Sequence, residues 1–196
     1  RISNHNLPPS PWLESSILST LQTFSNEHGL MATLELSNCS LSADDLSSLV
    51  KIIAKNTTLA TLNISKNDVE SEDTVKELAK AIKKHPAICS VNLAYCELAG
   101  GSGTLEKMLT ACKSCEHLEI GSEEFDSKCV AAVAKFIEKK SSVTSFSLTG
   151  ATVDKENKKL MSEALVKNKT IEELYFQNNK LSLPGIIQTT KKGLKS

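Results

Sequence analysis

Residues 34–41 read LELSNCSL, and this octet carries the pattern that decides the fold. Its apolar side chains are Leu34, Leu36 and Leu41, and Cys39 supplies a small hydrogen-bonding group between the last two. Alternate residues of a strand lie on one face, so Leu34 and Leu36 predict a short strand with that face buried. A thiol or amide turned inward at Cys39 can bond backbone groups of the following turn. We call the position of Leu34 p, so that Leu36 is p+2, Cys39 is p+5 and Leu41 is p+7.

The octet recurs five more times along the chain. The residues at p, p+2, p+5 and p+7 are Leu62, Ile64, Asn67 and Val69; Val91, Leu93, Cys96 and Leu98; Leu118, Ile120, Glu123 and Phe125; Phe146, Leu148, Ala151 and Val153; and Leu174, Phe176, Asn179 and Leu181. Position p thus falls at residues 34, 62, 91, 118, 146 and 174, in steps of 28, 29, 27, 28 and 28 residues. Another apolar or thiol side chain stands at p−3: Met31, Leu59, Ile88, Cys115, Val143 and Ile171. A period of about 20–29 residues with this consensus is the signature of leucine-rich repeats.

The stretches between successive octets have helical spacing. In the first of them Leu46, Leu49, Val50 and Ile53 form one apolar stripe, and the later stretches repeat it. Ser42, Ser71 and Asp126 are placed to cap helix N-termini. Each unit therefore reads as strand, turn, helix and return. Because a helix is wider than a strand, stacking these units predicts an α/β horseshoe with a concave parallel β-sheet and outer α-helices.

The repeat predicts a single elongated domain over residues 1–196. Residues 1–29 read as a partial repeat with its own helix, and six repeats begin near residues 31, 59, 88, 115, 143 and 171. The segment 182–195 reads as a last, weak helix. The chain begins at Arg1 without a methionine, and we expect it to be a piece of a longer protein.

Charge and composition exclude several classes of function. Lys plus Arg and Asp plus Glu both number 23, so no net field attracts a polyanion. Arg1 is the only arginine, and aromatic residues are 4% of the chain, too few for base stacking. We therefore expect no nucleic-acid partner. No apolar run approaches the roughly 20 residues that a membrane-spanning helix needs.

The six cysteines are predicted to be reduced. Cys39 and Cys96 occupy p+5 and Cys115 occupies p−3, which are slots for small buried side chains, so we expect three buried thiols and a cytoplasmic location. Cys112 and Cys115 form a C-x-x-C pair with His117 nearby. Strand alternation turns Cys115 inward and His117 outward, which separates these ligands and favours no metal and no cofactor.

The repeat also carries a family resemblance. The 28–29-residue period and the residues Cys39, Asn67 and Cys96 at p+5 resemble the ribonuclease-inhibitor-like class of leucine-rich repeats, although Glu123 and Ala151 depart from it. Within that class, the run LPPSPW at 7–12, the long first repeat and LSNC at 36–39 look like the CARMIL leucine-rich-repeat domain. The run EALVKNKT at 163–170 is similar to CARMIL and to tropomodulin. Those families regulate actin filament ends and assembly, so the resemblance implies a role in the actin cytoskeleton.

The outward strand positions p−1, p+1 and p+3 are expected to line the concave face. They are mostly small and polar, which suits a wet protein-binding surface better than a small-molecule pocket. Tyr175, His117 and nearby Tyr95 are the bulky side chains that could anchor a partner. The predicted partner-binding residues are Glu35, Asn63, Asn92, Tyr95, His117, Glu119, Ser147, Glu173, Tyr175 and Gln177.

Two alternatives stay open. Lysines at the helix ends, such as Lys80, Lys84 and Lys139, complement the helix dipoles, but stacking aligns them into a rim that could meet an acidic protein or a membrane surface. The second alternative is a GTPase-activating module, or another regulatory module of the ribonuclease-inhibitor-like class, because one relative of this class activates the small GTPase Ran. The lack of arginine in the body counts against GTPase activation. The run Gly100–Gly103 lacks the Lys-Ser/Thr ending of a phosphate loop, and no Ser/His/acid set can be placed, so we expect no enzyme activity. The sequence defines neither the partner nor the oligomeric state.

Overall fold

The structure is a computed structural model, and it describes residues 31–122, 125–139 and 141–177. The predicted partial repeat 1–29, the predicted helix 182–195, and Glu123 and Asn179 lie outside these ranges. Strands and helices alternate along the described chain: β1 Thr33–Glu35, α1 Ala43–Lys55, β2 Thr61–Asn63, α2 Glu72–Lys84, β3 Ser90–Ala94, α3 Gly101–Ala111 followed by the 3₁₀ turn Cys112–Ser114, β4 His117–Gly121, α4 Ser127–Glu138, β5 Ser145–Thr149, α5 Lys155–Lys167 and β6 Glu173–Gln177.

The six strands form one parallel sheet in sequence order. Each strand pairs with the next in the register of the repeat, so that Leu34 stands opposite Leu62, Leu62 opposite Val91, and so on to Leu174. This pairing confirms the prediction of parallel strands at each octet. A parallel connection needs a crossover of a dozen or more residues, and here each helix supplies it.

The core lies between the sheet and the helices. The p and p+2 side chains from β1 to β5 are all buried, as Leu34 and Leu62 illustrate, and helix residues such as Leu49, Ile52 and Met108 cover them. The last strand is less covered, since Leu174 and Phe176 are only partly buried. Each repeat therefore buries its apolar face against its neighbours, as solenoid repeats do.

The helix starts follow the predicted caps. Ser42 Oγ accepts from the Asp45 amide at 3.2 Å, and the Asp45 carboxylate accepts from the Ser42 amide at 2.9 Å, which is a capping box. The side chains of Ser71 and Asp126 cap α2 and α4 by accepting from the amides of Thr74 and Cys129. Asp154 caps α5, which the sequence analysis did not predict, and α3 begins after Gly100 without a side-chain cap.

The p+5 side chains join neighbouring repeats. Asn67 Nδ2 donates to the Leu36 carbonyl at 2.7 Å, and Asn67 Oδ1 accepts from the Cys39 amide at 3.0 Å and the Leu41 amide at 3.2 Å. One repeat later, Cys96 Sγ donates to the Ile64 carbonyl at 3.1 Å. These bonds satisfy backbone groups at the turn, where the chain leaves the sheet.

The three predicted buried thiols do not behave alike. Cys96 and Cys115 are buried, but the prediction for Cys39 is wrong, because this residue is only partly buried. Cys39 Sγ donates to the carbonyl of Ser37, two residues earlier in the same repeat, at 3.5 Å. None of the six cysteines, all of which lie in the described ranges, forms a disulfide.

Candidate functional site on the concave face

One side chain from each strand forms a continuous row across the concave face. The residues at p+1 face one another in register: Glu35 stands opposite Asn63, Asn63 opposite Asn92, Asn92 opposite Glu119, Glu119 opposite Ser147, and Ser147 opposite Tyr175. The parallel sheet brings these residues together although about 28 residues of chain separate each from the next. We call this set the central row.

The central row lines a hollow of about 350 Å³. The hollow is bounded by Glu35, Thr61, Asn63, Ser90, Val91, Asn92, His117, Leu118, Glu119, Ser145, Ser147, Tyr175 and Gln177. Eight of the ten predicted partner-binding residues are in this lining. The other two, Tyr95 and Glu173, are not. Tyr95 belongs to the turn after β3, where its φ is +56°, and Glu173 is an exposed residue of β6.

The expectation that p+3 positions line the concave face is largely wrong. Ala94, Gly121 and Thr149 are buried there, and so is Ser65. The cause at Gly121 is a close approach of the chain: a Cβ at this residue would lie 1.8 Å from the Thr149 carbonyl oxygen. The sheet is therefore open at p−1, open at p+1 except at the buried Ser147, and mostly closed at p+3.

Two asparagines of the central row are held by their own backbone. Asn63 Oδ1 accepts from the Ser65 amide at 3.0 Å, and Asn92 Oδ1 accepts from the Ala94 amide at 2.9 Å. These local bonds fix the direction of each amide group. Asn92 Nδ2 is then free to point along the row, and it donates to Glu119 Oε2 at 2.8 Å.

Glu119 is a carboxylate in a partly dehydrated setting. Burial raises its pKa above the ordinary value for glutamate. Among the described residues no ion pair involves Glu119, so the Asn92 amide is the donor that the structure gives it. A carboxylate that loses water without gaining a cation is destabilised, and the raised pKa reflects that.

Ser147, beside Glu119 in the row, has a buried hydroxyl without a hydrogen-bond partner. The residue is 8% exposed, and its Oγ bonds no protein group. Buried hydroxyls are normally satisfied, and leaving one unpaired costs about 1–3 kcal/mol. The sequence did not reveal this feature, because Ser147 stands at p+1, a position expected to face outward.

The concave face is negatively charged. All eighteen residues at p−1, p+1 and p+3 are described, and they include Glu35, Glu119 and Glu173 but no lysine and no arginine. His117, at p−1 of β4, is exposed. The field of this face therefore favours cations, although the whole chain carries no net charge.

The basic rim lies at the other side of the molecule, at the C-terminal ends of the helices. Lys167 Nζ lies 2.7 Å from Glu138 Oε1 and Lys135 Nζ lies 3.5 Å from Glu106 Oε1, so part of the rim pairs with the preceding repeat. A groove of about 650 Å³ runs there between α1 and α2, and Lys51, Lys80 and Lys84 line it. A third hollow, of about 390 Å³, lies near the start of α3 and is lined by Asp68, Glu70, Glu97 and neighbouring apolar residues.

Two negative findings apply to the described ranges, one on metal-holding clusters and one on membrane-spanning helices. No group of three or more His, Cys, Asp or Glu side chains there is arranged to hold a metal ion. Cys115 is buried while His117 is exposed, which is the separation that strand alternation predicts. The helices of residues 31–177 that the structure describes are too short and too polar to cross a bilayer.

The chain is similar to known proteins at low sequence identity. No family model matches the chain. The chain is 25% identical over 139 residues to the human NACHT, LRR and PYD domains-containing protein 13, an alignment that covers 70% of this chain and 13% of that protein. The chain thus spans a small part of that relative. Among solved structures, Leiomodin-1 Actin-Binding Site 2 (ABS2) is similar at 14% identity, with 93% of this chain and 88% of that chain covered and a TM-score of 0.49. The repeats, the parallel sheet and the outer helices make this chain a leucine-rich-repeat α/β solenoid.

Proposed function

We propose that the chain is a non-catalytic scaffold that binds a protein partner on its concave sheet. The observation that carries this proposal is the central row, a set of six outward side chains in strict register on a stiff sheet. A rigid surface binds with little loss of conformational freedom, which favours association. The proposed contact residues are Glu35, Asn63, Asn92, Tyr95, His117, Glu119, Ser147, Glu173, Tyr175 and Gln177.

Tyr175 is the proposed anchor of this interface. Its side chain is 46% exposed, among the most exposed large apolar side chains in the described part of the chain, and it ends the central row. Tyrosine offers a large contact area with few rotatable bonds, and it is enriched among residues that dominate binding energy. Loss of such an anchor typically costs about 1–2 kcal/mol of binding free energy.

The test compares two substitutions on opposite sides of the molecule. Tyr175→Ala should weaken capture of the partner from an extract of the cells that make the protein, and Lys139→Ala should not. Neither variant should lose stability, since both side chains are exposed in the structure. If Lys139→Ala abolishes capture and Tyr175→Ala does not, the basic rim is the interface and the concave assignment is wrong.

The rim is the second candidate interface. The lysine-lined groove between α1 and α2 favours it, because Lys51, Lys80 and Lys84 together would suit an acidic protein or an anionic membrane surface. Binding through this groove should weaken in Lys80→Ala and Lys84→Ala, and it should fall steeply with added salt. A concave-face interface should survive both substitutions.

A role in actin regulation is the narrower form of the proposal. Its support is the resemblance of residues 7–12, 36–39 and 163–170 to CARMIL and, for the last run, to tropomodulin. Six thiols without a disulfide among them suit the reducing cytoplasm, where we place this function. Co-sedimentation with filamentous actin, and a filament-end elongation assay, would test it; no effect in both assays would leave only the general scaffold. A GTPase-activating role has weaker support, since the described residues contain no arginine.

A further inference from the structure

The central part of the concave hollow has three properties that together define a class of ligand. It is negatively charged, its half-buried carboxylate Glu119 pairs with no cation among the described residues, and a buried hydroxyl beside that carboxylate has no partner. We propose that the hollow receives the cationic head of an arginine or lysine side chain from a protein partner, with Glu119 as the counter-ion. This inference rests on the proposed concave-face function and adds the chemistry of the contact.

The charge of the hollow argues for a cation. Glu35 and Glu119 both line it, and its lining contains no lysine or arginine. The basic side chain in the lining is His117, and it is exposed rather than paired with Glu119. A concave negative surface concentrates cations, and a side chain that enters it meets less water than it would on a flat face.

Glu119 is prepared for this role by its neighbour. Asn92 Nδ2 donates to one carboxylate oxygen of Glu119, Oε2, at 2.8 Å. The backbone amide of Ala94 donates to Asn92 Oδ1, and this local bond fixes the Asn92 side chain. The carboxylate is thereby oriented before any ligand arrives. Burial raises the pKa of Glu119, which means that the ionised form lacks stabilisation in the free protein. A guanidinium or ammonium group would supply it through charge-assisted hydrogen bonds.

Ser147 supplies the second contact. Its hydroxyl oxygen can accept one N–H from the entering group, which would satisfy a polar atom that the free protein leaves unpaired. Tyr175 follows Ser147 in the row and bounds the hollow on that side, so its ring would lie beside the aliphatic stem or the cationic head. The hollow thus offers an anion, an acceptor and an aromatic wall within three neighbouring strands.

The test uses peptides, so that it does not depend on the identity of the partner. A fluorescein-labelled peptide of alternating glycine and arginine is compared with the same peptide carrying citrulline, which is the neutral isostere of arginine, and with a lysine version. Fluorescence polarisation measures binding to the whole chain. The arginine or the lysine peptide should bind at least about tenfold more tightly than the citrulline peptide, as expected for charge-assisted bonds. Equal binding of charged and citrulline peptides would overturn the proposal.

Matched variants separate this site from general attraction. Glu119→Gln keeps the shape and removes the charge, and it should weaken binding of the charged peptide about tenfold, whereas Ser147→Ala should weaken it about threefold. Glu77→Gln makes the same change on α2, on the convex side, and should leave binding unchanged. If Glu77→Gln weakens binding as much as Glu119→Gln, the attraction is not specific to the hollow and the proposal fails.

Two further readouts keep the outcome interpretable. Glu119→Gln should melt no lower than the unsubstituted chain, because burial disfavours the carboxylate that it replaces. In the partner-capture assay, loss with Tyr175→Ala but not with Glu119→Gln would overturn the cation receptor and leave the concave interface standing. Loss with neither variant would count against the concave interface itself.

Discussion

His85 occupies in its repeat the position that Asn56 occupies one repeat earlier, and it makes the same bonds with a different chemical group. Asn56 Oδ1 accepts from the amides of Thr58 at 2.8 Å and Leu59 at 2.6 Å. His85 Nδ1 accepts from the amides of Ala87 and Ile88, both at 3.2 Å. The imidazole therefore serves as an acceptor only while it is neutral.

This relationship predicts a pH dependence of stability. Burial lowers the pKa of His85 below its usual 6.5, and the backbone of Asn56 opposes this in part. Because the folded state binds the proton less readily, its stability is complete above about pH 6.5 and declines as the pH falls toward the folded-state pKa. Urea unfolding of the unsubstituted chain should show this decline. His85→Asn should remove the contribution of this group and keep the acceptor, so an unchanged slope between about pH 5 and 7 in that variant would contradict the assignment.

Asn67 should be among the side chains most important for the stacking of repeats. Asn67→Ala removes the bond to the Leu36 carbonyl and the two bonds from the Cys39 and Leu41 amides, so these backbone groups lose the Asn67 side chain as a partner. The expected loss of unfolding free energy is about 3 kcal/mol, measured by denaturant titration. Asn67→Cys should lose less, because Cys96 shows that a thiol can reach the carbonyl of the preceding repeat. A loss below about 0.5 kcal/mol for Asn67→Ala would show that the turn satisfies itself in another way.

Two glycines should respond to alanine in opposite directions. At Gly121 a Cβ would lie 1.8 Å from the Thr149 carbonyl oxygen, and φ is +145°, so Gly121→Ala must displace β5 and lower the melting temperature. At Gly103, inside α3, a Cβ would meet nothing within 4 Å. Gly103→Ala should therefore stabilise the chain by about 0.5–1 kcal/mol through helix propensity. The pair is measured by thermal unfolding, and equal shifts of one sign in both variants would refute the close approach.

The cysteines should separate into two classes of reactivity. Burial raises the pKa of Cys96 and of Cys129 to about 11, so few thiolates form at neutral pH. Cys112 and Cys115 are also buried, whereas Cys39 and Cys89 are partly accessible. Alkylation of the native chain with iodoacetamide, mapped by peptide mass, should modify Cys39 and Cys89 first. Modification of Cys96 at the rate of Cys89 would mean that the core opens readily at that repeat.

The fold could be predicted from the sequence because its decisive contacts recur at a fixed interval. Leu34 pairs with Leu62, and Leu118 pairs with Phe146, because all four residues occupy position p of the octet. One interpretation of the octet therefore predicted every strand. Local chemistry was equally legible at Ser42 and Asp126, where a cap needs only the next three residues. Contacts that repeat along the chain, and contacts between residues close in sequence, can therefore be recognised from the sequence.

The candidate site was less accessible to such reasoning. The positions of the central row followed from the period, but the burial of Ser147 and of the p+3 residues depends on how closely one strand lies to the next. The backbone of Thr149 packs directly against Gly121, and no motif within either repeat predicts this close approach. The raised pKa of Glu119 likewise comes from its burial in the folded chain, which cannot be read from the sequence around it.

The strict register of the central row places its side chains at equal intervals across the sheet. Neighbouring strands are about 4.8 Å apart, so the six side chains from Glu35 to Tyr175 mark a length of roughly 24 Å in equal divisions. Glu35 and Glu119 are three divisions apart, about 14 Å. Inserting or deleting one whole repeat between them would change that distance by one division and leave each mark intact. A partner that contacts both carboxylates would therefore require a fixed number of repeats between them. The number of repeats would then be a determinant of which partner binds.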